Sequence, residues 1–97
     1  MSTNFYLFSK HSCGPCRLVD KYFDAMGDER ISIIEKIDLE DVSDTPIPQK
    51  SLDLAKYYGV TATPVLIVAS EGGLKLKQFV GGVEITKNIK QMLDEYA

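Results

Sequence analysis

Tryptophan is absent from this chain, histidine occurs once and cysteine only twice. Two cysteines and one histidine fall short of the four ligands a structural zinc site takes, and no carboxylate is spaced to complete the set, so no metal is expected. A basic excess is also missing, with 11 Lys and Arg against 14 Asp and Glu and a net charge of −3. That balance argues against nucleic acid as a partner, because gripping phosphates needs a positive surface. No apolar run approaches the roughly 18–20 residues of a membrane span, so no membrane partner is expected. The opening residues, MSTNFYLFSKHS, lack the basic start, long apolar middle and small-residue cleavage site of a secretory leader. A cytoplasmic location follows as an expectation. There is no linker, repeat or low-complexity tract, and 97 residues suit one domain, 1–97, with a modest core, expected to be a monomer.

What is present reads as alternating strands and helices. Residues 4–8, NFYLF, form a short apolar run that suits a strand buried on both faces. Leu18, Val19, Tyr22, Phe23 and Met26 recur at helical spacing, with Pro15 in the first turn and Gly27 as the stop, which predicts a helix over 14–26. The β-branched stretch 31–38, ISIIEKID, predicts a second strand, and the acidic, proline-broken stretch 39–48 a loop. A short helix then runs to about Tyr58, ahead of Gly59. PVLIVA at 64–69 and LKLKQFV at 74–80, separated by SEGG, predict a hairpin. Ile85, Ile89, Met92, Leu93 and Tyr96 mark one face of a last helix. The order β-α-β-α-β-β-α implies a four-stranded mixed α/β sheet, with a right-handed parallel βαβ unit first and helices on both faces.

Cys13 and Cys16 fall where the first strand meets the first helix, at the carboxyl end of a strand, the usual place for a site in an open α/β sheet. A structural staple, a metal clip and a redox centre all use paired cysteines. A bridge closing a ring of about four residues restricts the unfolded chain by only roughly 2 kcal/mol, which makes a poor staple. The redox reading fits the local physics. Unpaired amides and the positive end of the helix dipole favour an ionised Cys13, and the thiolate is the nucleophile in disulfide exchange. Lys10, Arg17 and His11 add charge nearby, each worth about 0.5 kcal/mol across a water-like medium. Cys16 lies one turn on, deeper, and is assigned the resolving step. Pro15 stiffens the turn between them.

These motifs resemble the thioredoxin superfamily over nearly the whole chain. CGPC, Cys13 to Cys16, is the active-site tetrapeptide of thioredoxins. YYGVTATPVLIV is similar to the family's segment around a cis-proline, which would be Pro64, and FVGG is similar to the glycine turn before its last helix. The resemblance implies the thioredoxin fold, no cofactor, and an oxidoreductase that reduces protein disulfides through the Cys13–Cys16 dithiol. It implies a cis Thr63–Pro64 bond beside the sulfurs, with the Thr63 backbone open to an extended substrate. Substrate contact is expected of Lys10, Gly14, Pro15, Thr63, Pro64, Gly81 and Gly82. The implied partners are disulfide-bearing proteins, a ribonucleotide reductase among them by analogy, and a recycling thioredoxin reductase or glutathione.

The sequence also departs from that family. The strand and helix that open a full-length thioredoxin have no counterpart in it, so its frame has glutaredoxin dimensions. Ser12 stands where tryptophan precedes the first cysteine, and Leu7 stands at the position of the buried acid that handles the resolving cysteine's proton. Lys10 matches the lysine with which glutaredoxins bind a glutathione carboxylate, and Gly81, Gly82 and Glu84 resemble the segment that holds glutathione's other end. A glutathione-dependent reductase and a non-catalytic binding module on the same fold stand as alternatives. His11 is expected to be exposed, and Gly81 and Gly82 to serve at least as a backbone turn. The acidic run Glu35, Asp38, Glu40, Asp41 and Asp44 is expected to be a solvated face, and Tyr22, Phe23, Tyr57 and Tyr58 to be core or packing residues.

Overall fold

The computed structural model describes residues 3–40 and 46–97, so Asp41 and Asp44 and the middle of the expected 39–48 loop lie outside the described residues. The elements are β1 (Thr3–Ser9), α1 (Gly14–Met26), β2 (Ile34–Asp38), α2 (Gln49–Tyr57), β3 (Val65–Ser70), β4 (Lys75–Val80) and α3 (Gly82–Tyr96). The sheet order is β2-β1-β3-β4. β1 and β2 run parallel, in register from Phe5 opposite Ile34 to Ser9 opposite Asp38. The β1–β3 and β3–β4 pairs are antiparallel.

The apolar run of β3 reflects its central place. Leu66 and Val68 face a core with Phe5, Leu7, Val19, Phe23, Ile85, Ile89 and Leu93, which joins the sheet to α1 and α3. Val65, Ile67 and Ala69 face the opposite layer with Phe8, Ile37, Ala55 and Tyr58, beneath α2. A strand covered on both faces needs apolar residues at every position, not at alternate ones. Phe23 and Tyr58 are core; Tyr22 is 42% and Tyr57 68% exposed, Tyr57 packing edge-on against Tyr58 with ring centroids 4.8 Å apart. Phe23 takes the inward position beside Tyr22 because a helix turns adjacent residues about 100° apart, and Tyr58, the residue that caps α2, takes it beside Tyr57.

The second strand is shorter than its composition predicts. Residues 29–33 coil into a 3-10 turn, Glu29–Ile33, and only Ile34–Asp38 is strand. Asp28 takes the cap: its Oδ1 accepts the Arg30 amide at 2.9 Å, and its carbonyl accepts the Ile31 amide at 3.1 Å. Ile31 still packs on the first core cluster from that turn, so capping outweighs the β preference of the run. At the end of α1, Gly27 adopts φ 61°, a left-handed stop that a side chain would resist.

Asp28 and Arg30 also tie this turn to the last helix. Arg30 reaches Asp28 Oδ2 at 2.8 Å and Asp94 Oδ1 at 2.8 Å. The Arg30 side-chain hydrogen bonds, then its backbone amide, hold the Asp28 carboxyl down to about 2. An unfolded aspartate titrates near 3.9, so this contribution to stability is fully present above about pH 4 and is lost as the pH falls toward 2. Denaturant titrations across pH are therefore expected to show Arg30→Ala less stable than the parent at pH 6, with the gap closing toward pH 2. A gap that persists unchanged at pH 2 would mean that Arg30 acts through packing instead.

Candidate functional site

The end of β1 delivers Lys10–Ser12 as a turn and then Cys13, the N-cap of α1, with backbone angles φ −95° and ψ 114°. Cys13 and Cys16 are joined as a disulfide. The Cys16 amide donates to Cys13 Sγ at 3.1 Å, and the Arg17 amide donates to the Cys13 carbonyl at 3.3 Å. An N-cap sulfur that accepts a helix amide sits where negative charge is favoured, so on reduction this geometry favours the thiolate at Cys13. Cys16 is only 2% exposed, whereas Cys13 is half-buried and Gly14 and Pro15 are exposed. An incoming sulfur can therefore reach Cys13 and not Cys16.

Two later segments close on this turn. The Thr63–Pro64 bond is cis, and the Thr63 carbonyl oxygen lies 3.7 Å from Cys13 Sγ. The Pro64 carbonyl accepts the Gly81 amide at 2.9 Å. Gly82 comes so near the first turn of α1 that a Cβ placed on it would stand 3.3 Å from the Pro15 carbonyl oxygen. Residues far apart in the chain, Gly14, Pro15, Thr63, Pro64, Gly81 and Gly82, thus gather around the disulfide. Lys10 stands at the edge of two cavities of about 220 Å³ each. One lies toward Thr63 and is walled by Leu39, Leu52, Val60 and Thr61; the other lies toward α1 and β2.

Gly81 holds φ 94° and ψ 153°, a region that is essentially glycine's alone. Gly81→Ala is expected to cost about 1–3 kcal/mol of stability, the usual range for such backbone strain. Gly14→Ala, with no heavy atom within 4 Å of the added carbon, is expected to be close to neutral. Paired thermal melts compare them, and equal melting temperatures would remove the backbone argument for Gly81.

The acidic stretch is not only a solvated face. Asp38 Oδ2 meets His11 Nε2 at 2.6 Å, so His11 is exposed but not idle. Glu40 accepts hydrogen bonds from both the amide and the hydroxyl of Ser12. Asp38 Oδ1 accepts the Glu40 amide at 3.0 Å. The end of β2 therefore anchors the turn that presents Cys13. Ser12 takes part through its hydroxyl. Sequence reading missed this role, although parallel strands in a βαβ unit bring their carboxyl ends together and so put Asp38–Glu40 beside 9–12. It also missed Ser9, a buried polar residue facing the α1 layer, and Arg17 as part of a cavity wall.

No protein-family model matches the sequence, and no curated protein matches it. Solved structures do. The reduced thioredoxin pre-protein of Schistosoma mansoni aligns at a TM-score of 0.70 with 21% identity, covering 98% of this chain and 79% of that one. Fasciola hepatica thioredoxin aligns at 0.68 with 22% identity, covering 98% and 81%. The oxidised thioredoxin of Plasmodium falciparum aligns at 0.67 with 17% identity, covering 98% and 81%. Together with the strand order and helix placement, these likenesses show that the chain has the thioredoxin fold.

Proposed function

We propose that this chain is a thiol-disulfide oxidoreductase that works in the reducing direction on protein disulfides, in the cytoplasm. The observation that carries the proposal is the unequal pair: Cys13 at a helix N-cap, accepting the Cys16 amide and half-buried, with Cys16 sealed beneath it at 2% exposure. In the dithiol form, the Cys13 thiolate attacks one sulfur of the substrate disulfide and expels the other as a thiolate. The Cys16 thiol loses its proton and attacks Cys13, which breaks the mixed disulfide and releases the second substrate thiolate. Two electrons pass to the substrate, and the chain is left with the Cys13–Cys16 bridge. Another two-electron donor must then reopen that bridge.

The Gly14–Pro15 pair between the sulfurs resembles that of reducing members of the fold, which favours reductase over oxidase. Thr63, with its carbonyl 3.7 Å from Cys13 Sγ, supports docking of an extended substrate by backbone pairing. A ribonucleotide reductase is one client the fold suggests by analogy. A second reading, recycling by glutathione, is favoured by one feature: Lys10 borders a cavity that it shares with Thr63.

Insulin reduction tests the proposal. The chain is expected to turn over many times with either a thioredoxin reductase and its nicotinamide donor or glutathione and its reductase. The donor that supports turnover identifies the recycling partner. Failure with both donors, in a chain shown to form its disulfide, would overturn the reading.

A further inference from the structure

Cys16 must attack as a thiolate, yet it is only 2% exposed, and a buried thiol ionises reluctantly. Some group has to take its proton. Leu7, in the core where the sheet meets α1, can accept none. Leu7 lies opposite Lys36 in the parallel β1–β2 pair, and Lys36 Nζ reaches Asp20 Oδ2 on α1 at 2.7 Å. Asp20 follows Cys16 by four residues inside α1. Residues four apart share a helix face, with Cβ atoms about 5–6 Å apart. Helical Cα–Cβ bonds tilt toward the N-terminus, so the Asp20 side chain starts toward the turn that holds Cys16. Other carboxylates near the sulfurs are engaged at both oxygens. Asp38 holds His11 and the Glu40 amide, and Glu40 holds the amide and hydroxyl of Ser12. Asp20 differs: its Oδ2 takes Lys36, and its Oδ1 accepts no hydrogen bond among the described residues.

We propose that Asp20 is the base that takes the Cys16 proton, through one bridging water, when Cys16 resolves the mixed disulfide. The inference rests on the dithiol reading of the pair and names its proton acceptor. The proton leaves Cys16 Sγ for the water, and the water gives one of its own to Asp20 Oδ1. The Cys16 thiolate forms the bond to Cys13 Sγ, and the bond from Cys13 to the substrate breaks with its electron pair on the substrate sulfur. Asp20 then returns the proton to solvent through the polar cavity that it lines, whose volume of about 220 Å³ is the share of roughly seven waters. Lys36 steadies the carboxylate throughout. The charged groups that share a cavity with Asp20 are Lys36 and Asp38 from β2, Lys10 and His11 from the turn, and Arg17 and Asp24 from α1; α3 adds none.

The test follows both exchanges in a single turnover of the reduced full chain with dipyridyl disulfide. Attack by Cys13 frees one thiopyridone, and resolution by Cys16 frees the second. Asp20→Asn is expected to slow the second release about 100-fold at pH 7, the lower end of what a general base contributes. The deficit should shrink to within about 3-fold by pH 10, where hydroxide ionises Cys16 unaided. Asp20→Glu, which keeps a carboxylate on the same helix face, is expected to restore most of the rate. An unchanged second release in Asp20→Asn at pH 7 overturns the assignment. So does a deficit that is equal at pH 7 and pH 10, or one that slows the first release by the same factor, since either marks a structural role. The probe needs no protein client, so failure to reduce insulin beside two normal releases would remove the reductase reading and leave the Asp20 result to stand on its own. A parent chain that frees only one thiopyridone removes the dithiol reading and this inference with it.

Discussion

Replacing Cys16 by serine is expected to stop turnover with the substrate still attached to the chain. Cys13 keeps its helix cap and its exposure in that variant, so the first exchange proceeds. The second exchange has no nucleophile, because Cys16 is the only other cysteine. Turnover should fall by more than about 10³-fold, the scale seen when a catalytic nucleophile is deleted. A covalent adduct to the client should accumulate, visible by mass spectrometry and released by dithiothreitol. Cys13→Ser should fall as far and give no adduct, because Cys16 is 2% exposed and no bulky disulfide can reach it. An adduct formed through Cys16 at a comparable rate would reverse the two roles. Normal turnover by Cys16→Ser would remove the dithiol mechanism. The same trap, used on a cell extract, would recover the clients.

The largest loss of stability is expected from Phe8→Ala. Phe8 is 0% exposed, lies in a central strand and packs in the cluster beneath α2 with Ile37, Tyr58, Val65 and Ile67. Deleting a buried phenylalanine ring removes its transfer free energy and leaves a cavity, about 3–5 kcal/mol in all. A domain of this size holds only about 5–15 kcal/mol, so the variant should be marginal at 37 °C. Urea melts of the reduced and oxidised chain would measure it. Leu74→Ala, at a position 68% exposed, should stay within about 0.5 kcal/mol and serves as the comparison. A loss below about 1.5 kcal/mol for Phe8→Ala would mean that α2 collapses onto the sheet and refills the space. Phe8 also immediately precedes Ser9 at the end of the strand that carries the Cys13 turn, so peptide reduction at permissive temperature should report any movement of the site.

The fold was legible because its signals are local. Val19 and Phe23 on α1, and Ile85, Ile89 and Leu93 on α3, repeat at helical spacing, and all are buried. The run 65–69 is apolar at every position and lies between two layers. Where a local signal competed with another, composition misled: Ile31 and Ile33 look like strand, but Asp28 caps them into a turn. Among the aromatics, which pack inward is decided locally: Phe23 takes the inward place of α1 and leaves Tyr22 outside, and Tyr58, past the end of α2, is buried with Tyr57 packed edge-on against it.

The sequence by itself determined the sulfur pair, its spacing at a helix start and which sulfur takes the cap, since three-residue spacing and an N-cap are properties of one short segment. Tertiary structure alone decided what surrounds that pair. The parallel register of Ser9 with Asp38 brings Asp38 and Glu40 onto the turn before Cys13. The β3–β4 pairing brings Gly81 to Pro64, and Gly82 packs against Pro15. The stacking of α1 on the sheet leaves Ser9, Lys10 and Arg17 around one cavity. Those neighbours are separated by many residues in the chain. Their approach depends on strand pairing and layer packing, which no stretch of sequence encodes alone.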